Sequence, residues 1–361
     1  MTCHSPPEKV IQRFCVNKES VKIEILGQGN INDTYVVHTE EHSFVLQKIN
    51  DQVFPDPLIL IDNLQHLSLH LSTLAPTTKQ RWEDAILLPA LDGALFVYDD
   101  KGAVWRALTY IDSSTCLTRA ETVEQATQTG WALGHFHKRL AGLDPRKMQV
   151  PLPGFHILKN YLKHYAQICK DHKKNTSKES QFCKQVIEEN REGALLLENT
   201  LSRKQNTTRI IHGDPKISNI LFDRESGRAV TIIDLDTVGP GLLQHDIGDC
   251  LRSVCNTYGE EAVPDTVTFD LTFCKGVLEG YFNGAEGLLT PEDCDLIYDG
   301  IQAITYELGL RFFMDYLQGG IYFKCNTVEE TLQKALVQFT LLQDIIVKKK
   351  TIHKLIQQIS L

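Results

Sequence analysis

The chain has no Cys-x-x-Cys pair, although it carries ten cysteines in 361 residues. Cys250 and Cys255 stand closest, and no matching second pair or histidine cluster completes a zinc site. There is no uninterrupted apolar run of membrane-spanning length, no internal repeat and no low-complexity tract. Residues 1–7 lack the basic-then-apolar order of a secretion signal. Positive charge is in deficit: 37 Lys and Arg against 46 Asp and Glu leave a net charge of −9. Nucleic acid is therefore a poor partner, because a phosphate backbone demands a basic face. The short run Lys348-Lys349-Lys350 reads as a solvated helix face. These absences lead us to expect a cytoplasmic monomer with reduced thiols, most of them buried as small apolar groups, acting without membrane or nucleic acid.

The order of the remaining signals predicts an α+β fold in two lobes. Residues 21–26 alternate like a strand, and Gly27-Gln28-Gly29-Asn30-Ile31-Asn32-Asp33 supplies turn residues. Residues 34–38 and 44–49 read as the next two strands, with a helix over 58–74 and further β stretches at 85–88, 95–98 and 104–111. Helical periodicity then takes over at 121–140, 157–170 and 182–202, with a polar loop at 171–180. It returns at 244–256, 266–283, 291–317 and 328–359. The predicted organisation is a β-rich nucleotide-binding lobe over residues 1–112 and a mainly helical catalytic and substrate-binding lobe over 113–361. A ligand would sit in the cleft between them.

The chemistry is concentrated in residues 210–236. Asp214 is followed five residues later by Asn219 and twenty later by Asp234. In-line phosphoryl transfer needs a group to accept the proton of the attacking hydroxyl, and oxygen ligands for magnesium held against ATP phosphates. Asp214 suits the first task, Asn219 and Asp234 the second. Strands at 220–222 and 229–233 around a turn at 224–227 would fold back as a hairpin and carry Asp234 beside Asn219. The alternative, a structural hairpin with a solvated Asp and Asn, does not require His-Gly-Asp ahead of it. Asp236 would share a face with Asp234 if the strand continues, as a secondary contact.

Gly27 and Gly29 can let the backbone approach phosphates, or can simply turn a hairpin. Lys48, on the third strand, can reach the α- and β-phosphates. Gln47 points to the opposite face, so only one of the two enters the cleft; charge favours Lys48, against a solvent-facing lysine. Ile111, at the end of the last β stretch, completes the expected nucleotide-contacting set. His135 and His137 lie two apart in a helix and share no face, so a packing role outweighs a metal role. His212 reads as a holder of the catalytic loop. Asp246, Asp249 and Arg252 form a polar stripe in which Asp246 can accept N–H bonds from that loop, or serve as a helix N-terminal acid.

These residues, in this order, resemble the aminoglycoside phosphotransferase and choline kinase family. More narrowly, Gly29-Asn30-Ile31-Asn32-Asp33-Thr34-Tyr35, Leu46-Gln47-Lys48-Ile49-Asn50, Ile233-Asp234-Leu235-Asp236-Thr237-Val238 and Glu307-Leu308-Gly309-Leu310-Arg311-Phe312 look like the N-acetylhexosamine 1-kinase branch. The resemblance spans roughly residues 20–350, and it implies a protein-kinase-like fold. It further implies phosphorylation of the anomeric hydroxyl of N-acetylglucosamine or N-acetylgalactosamine, with ATP and Mg2+ as cofactors. Carried over, Asp214 is the base, Asn219 and Asp234 are metal ligands, and Asp33 and Arg311 contact the sugar. Phe155, His156 and Tyr161 fall near the expected sugar pocket. The triplet His-Gly-Asp departs from the branch's familiar His-Asn-Asp.

Two other classes compete. A kinase of choline, an aminoglycoside, homoserine or methylthioribose would keep the same base and metal ligands. A choline pocket would use aromatic side chains, and Phe312, Phe313, Tyr316, Tyr322 and Phe323 are present at spacings usual for core packing. A non-catalytic binding module would lose the base or a metal ligand, and all three are here.

Overall fold

The structure is a computed structural model and describes residues 5–15, 21–26, 31–75, 78–171, 177–201, 208–259, 261–323, 325 and 327–360. Gly27 and Gly29 lie outside the described residues, as does part of the loop expected at 171–180.

The chain opens with the short helix α1 (Glu8–Ile11), then β1 (Lys22–Ile25), β2 (Asp33–His38) and β3 (Ser43–Lys48). Helix α2 (Pro57–Ser72) starts where Asp56 caps Leu58 N–H and Pro57 occupies the first turn, which has no N–H to lose. Strands β4 (Leu87–Leu88), β5 (Val97–Tyr98) and β6 (Val104–Thr109) complete an antiparallel sheet in the order β1-β2-β3-β6-β4, with β5 also on β6. The chain then leaves this sheet. Strand β7 (Ser114–Cys116) pairs with residues 221–223, not with β6.

The rest is mainly helical. Helix α3 (Val123–Leu140) begins in a reciprocal cap between Thr122 and Gln125. It is followed by α4 (Leu158–Asp171), α5 (Lys178–Ala194) and α6 (Leu196–Leu201). The β segment holds β8 (Arg209–Ile211), β9 (Ile220–Asp223), β10 (Ala229–Ile232) and β11 (Gly239–Gly241). After it come α7 (Leu243–Cys255), α8 (Leu271–Ala285), α9 (Pro291–Asp295), α10 (Ile297–Gln318), α11 (Val328–Val347) and α12 (Lys349–Ile359). The two-lobed plan is thus the one expected. Locally it differs: Lys178 to Ser180 are helical rather than loop, and α8 begins five residues late because Asp270 caps it. The long C-terminal segment breaks at Lys348.

The two faces of the first sheet differ. One carries Tyr35, Phe44, Leu46 and Trp105 against Val10 and Phe14 of the N-terminal segment. The other carries Ile49 and Val104 into the larger core shared with α2 and the helices around the catalytic segment. That second face looks into the cleft.

The nine described cysteines are all free, and six of them are buried. Among the described residues no helix is long and apolar enough to cross a membrane.

Candidate active site

The hairpin β9–β10 forms as the turn residues direct, and Ile233 N–H donates to the Asn219 carbonyl (2.8 Å). This closure sets Asp234 beside Asn219. Asp234 itself takes a left-handed backbone conformation, φ 64° and ψ 55°. A non-glycine residue persists there only when its surroundings over-determine it, and such residues gather at functional sites. The chain then turns into a short 3-10 helix, Leu235–Thr237, so Asp234 and Asp236 do not share a strand face as expected.

The catalytic loop is held from three sides. Asp246, wholly buried at the start of α7, accepts N–H bonds from His212 (2.6 Å) and Gly213 (2.8 Å). His137 of α3 donates to the same carboxylate from Nε2 (2.8 Å) and faces the Tyr281 hydroxyl with Nδ1 (2.8 Å). Burial works against the Asp246 charge. The His137 hydrogen bond, the neighbouring imidazoles and the loop N–H outweigh it, so its pKa falls below the usual carboxylate range. His212 donates from Nε2 to the Ile233 carbonyl (2.9 Å), and its bare Nδ1 accepts the Asp214 N–H (3.2 Å). Burial lowers its pKa and keeps it neutral, which that pair of bonds requires. Between them Gly213 sits at φ 89°, with Thr237 so close that a Cβ would meet its backbone oxygen at 2.9 Å. Glycine therefore suits this position on two counts.

Asp214 keeps 35% of its side-chain surface open. Burial of the rest would raise its pKa, but Lys216, 2.7 Å away, pulls it below the usual range. It is an ionised carboxylate at neutral pH, the form a proton acceptor needs. Asn219 commits its amide N–H to the Asp214 backbone oxygen (2.8 Å), which leaves the amide oxygen on the other side of the group. Asp234 reaches solvent at the cleft floor, yet its pKa is pushed up to about 7. Surrounding protein contributes first, then the charges of Asp236 and Asp214, against Lys216 and Arg106. Three carboxylates crowding one cleft floor suit a divalent cation, which would relieve their repulsion. Among the described residues no set of three or more acidic, imidazole or thiol ligands converges on one point. Asn219 and Asp234 would therefore hold magnesium together with phosphate oxygens and water, as magnesium prefers.

The structure corrects two expected site residues. Lys48 lies on the sheet face away from the cleft, in register with Trp105, where its charge acts on Asp99. Asp33 is paired with Lys48 in the β2–β3 register and is exposed on that same face. The residues one position earlier, Asn32 and Gln47, face inward instead. Asn32 donates to Asp236, and Gln47 accepts from Arg106 Nε (3.1 Å) and Nη2 (2.8 Å). Arg106 in turn donates to Asp236, which is buried. Arg106 carried no motif, and only the alternation of β6 placed it on a face; Asn32 lay within the Gly29-to-Tyr35 segment, but the role was given to its neighbour Asp33. Ile111 is buried where the chain passes from β6 to β7, and its carbonyl accepts the Ser114 hydroxyl (2.7 Å).

A second cluster adjoins the catalytic loop. His156, at φ 57°, bonds Glu307 of α10 through Nδ1 (3.1 Å) and the Gly213 carbonyl through Nε2 (3.0 Å). Burial opposes its charge, but Glu307 more than offsets that and raises its pKa. One turn on, the Arg311 guanidinium lies over four rings: Phe155 (5.2 Å), Phe323 (5.5 Å), Tyr161 and Tyr322 (both 5.7 Å). His135 belongs to neither cluster. It stacks on Trp131 (4.8 Å), with a pKa lowered to about 4 chiefly by burial.

A profile of the phosphotransferase enzyme family matches residues 22–281. Solved structures share the fold at low identity. A microcompartment-associated aminopropanol kinase is 14% identical, with 96% of this chain and 97% of that one covered and a TM-score of 0.66. An aminoglycoside phosphotransferase from Alicyclobacillus acidocaldarius is 13% identical, with 98% of each chain covered and a TM-score of 0.63. A choline kinase from Cryptosporidium parvum is 14% identical, with 96% of this chain and 94% of that one covered and a TM-score of 0.61.

Proposed function

The chain belongs to the phosphotransferase enzyme family, and from that premise we propose a small-molecule kinase that uses ATP and Mg2+ to phosphorylate the anomeric hydroxyl of an N-acetylhexosamine. In this reading Asp214 accepts the proton of the acceptor hydroxyl, while Asn219 and Asp234 hold magnesium, which neutralises phosphate charge when bound. The nucleotide lies against the first lobe, past Ile111, with the lobe boundary at residues 112 and 113. The enzyme works in a reducing compartment, in keeping with its free cysteines.

The observation that carries the choice of acceptor is the arginine inside the aromatic cluster. Amino alcohols such as choline are recognised by aromatic rings around a cation. Here Arg311 already occupies the rings, so a cationic acceptor would meet a fixed positive charge. A neutral, oxygen-rich acceptor has the opposite prospects. A guanidinium offers its donors to an acetamide carbonyl or ring hydroxyls. The His156 bridge from Glu307 to Gly213 ties this cluster to the loop that carries Asp214. The four segments that look like the hexosamine branch support the same acceptor; with Asp33 turned outward, Arg311 is the sugar contact retained.

The test is magnesium- and ATP-dependent ADP release with N-acetylglucosamine, N-acetylgalactosamine, glucose, galactose, choline, homoserine and an aminoglycoside, followed by phosphorus NMR of any product. We expect turnover with an N-acetylhexosamine and an anomeric phosphate. Turnover only with choline or the antibiotic would retain the base and metal ligands and discard the sugar.

A further inference from the structure

We infer that the cation that meets the nucleotide phosphates in this chain is Arg106, supplied by β6, and not a lysine of β3. The inference rests on the reading of the cleft as a nucleotide site.

A phosphate chain needs a positive partner close to the magnesium. On β3 the cleft-facing position belongs to Gln47, and its amide is used at both ends. Nε2 donates to Thr34 Oγ1 (3.1 Å), and Oε1 accepts from Arg106 twice. Gln47 has no charge to offer, and its amide is already held at both ends. Arg106 stands opposite it in the β3–β6 register. Its guanidinium is 1% exposed and anchored on two sides, by Gln47 at Nε and Nη2 and by Asp236 at Nη2.

The remaining nitrogen, Nη1, is buried with no partner among the described residues. An unpaired donor on a buried cation is among the more expensive defects in a protein, and native structures seldom keep one without a use. A planar fork with two edges anchored has its third edge fixed in direction. Arg106 also lies close enough to Asp234 for its charge to be felt there. The free edge of a fixed cation anchored on Asp236, two residues after Asp234, is where a phosphate oxygen would complete the set. In this arrangement Gln47 and Asp236 aim the guanidinium, and Asn32 holds Asp236 in turn.

The experiment measures nucleotide affinity on the whole chain without acceptor, by calorimetry for Mg·ATP and Mg·ADP and by competition for adenosine. Arg106→Gln is expected to bind adenosine as the parent does and to lose roughly 10- to 100-fold in ATP affinity, the usual worth of a charged hydrogen bond. Arg106→Lys, which keeps the charge but not the fork, should fall between them. Lys48→Ala should match the parent. If Arg106→Gln does not fold, the ratio of ATP to adenosine affinity in Arg106→Lys decides: a several-fold fall supports the inference, and an unchanged ratio overturns it. Equal weakening of adenosine and ATP in Arg106→Gln would make Arg106 only a tie between β6 and Asp236. A parent chain that binds none of these nucleotides would instead sink the proposed function.

Discussion

Asp214 and Asp234 are twenty residues apart and respond to the same cleft in opposite ways. Lysine 216 holds Asp214 ionised, whereas surrounding protein and two neighbouring carboxylates push Asp234 up to about 7. Asp214→Asn should therefore lower kcat by roughly a hundredfold to ten-thousandfold, the range for a lost general base, with nucleotide affinity preserved. Near-parental turnover in steady-state assays would remove the base from Asp214. The pH dependence belongs to Asp234. In the role proposed for it Asp234 must be deprotonated to hold magnesium, so Mg2+ affinity should fall as pH drops through about 7. The stability of the metal-free protein should run the other way. A folded carboxyl raised from 3.8 to about 7 binds more protons than the unfolded chain, so this group makes stability fall as pH rises across that window. Added Mg2+ should offset the loss above pH 7. Thermal melts from pH 5 to 8, with and without Mg2+, read both signs, and a magnesium effect independent of pH would contradict them.

Helices α3 and α8 show how an element positions the chemistry. They approach so closely that a Cβ on Gly280 would stand 1.9 Å from the Thr127 carbonyl oxygen, and one on Gly130 would stand 2.0 Å from that of Val277. Gly134 and Gly284 repeat the pattern one turn along, at 2.3 Å from the carbonyls of Tyr281 and Trp131. The close approach brings His137 of α3 against Tyr281 of α8, and His137 carries the contact on to Asp246 and the catalytic loop. Gly280→Ala cannot be absorbed by a flexible side chain, because the obstacle is backbone. It should destabilise by about 1–3 kcal/mol, as overpacking does, and lower kcat by loosening the loop. Chemical denaturation and steady-state kinetics on one preparation test both, and an unchanged midpoint would mean that the helices separate at no cost.

At the scale of the molecule, Asp236 ties the lobes together. It receives Arg106 from the sheet lobe and Asn32 from the start of β2, while its own segment lies in the helical lobe. A cleft pinned at its floor but open to solvent at Asp234 is suited to close over two substrates together. ATP hydrolysis without acceptor should then be low, since water must be kept from the phosphoryl group until the acceptor arrives. ADP release with Mg·ATP alone reads this directly, and basal turnover near the acceptor-stimulated rate would contradict it.

Local signals settled much of this protein before any tertiary contact was known. Alternation, helical period and turn chemistry were enough for the two lobes and the β9–β10 hairpin, and the spacing of Asp214, Asn219 and Asp234 follows from that hairpin. Asp246 as the acceptor of loop N–H bonds was also legible, because a helix start follows the motif so closely. Strand parity was not. In Asn32-Asp33 and Gln47-Lys48 the charged member of each pair looks the better ligand, yet the cleft takes the neutral one. What decides the face is the packing of the N-terminal segment under Tyr35, Leu46 and Trp105, which fixes the parity of β2, β3 and β6 at once. Partners far apart in the chain were equally beyond reach: Arg106 with Asp236 across 130 residues, and His156 with Glu307 across 151. A local pattern can say that a strand or helix exists; only the folded chain brings such charges within hydrogen-bonding distance and gives each its partner.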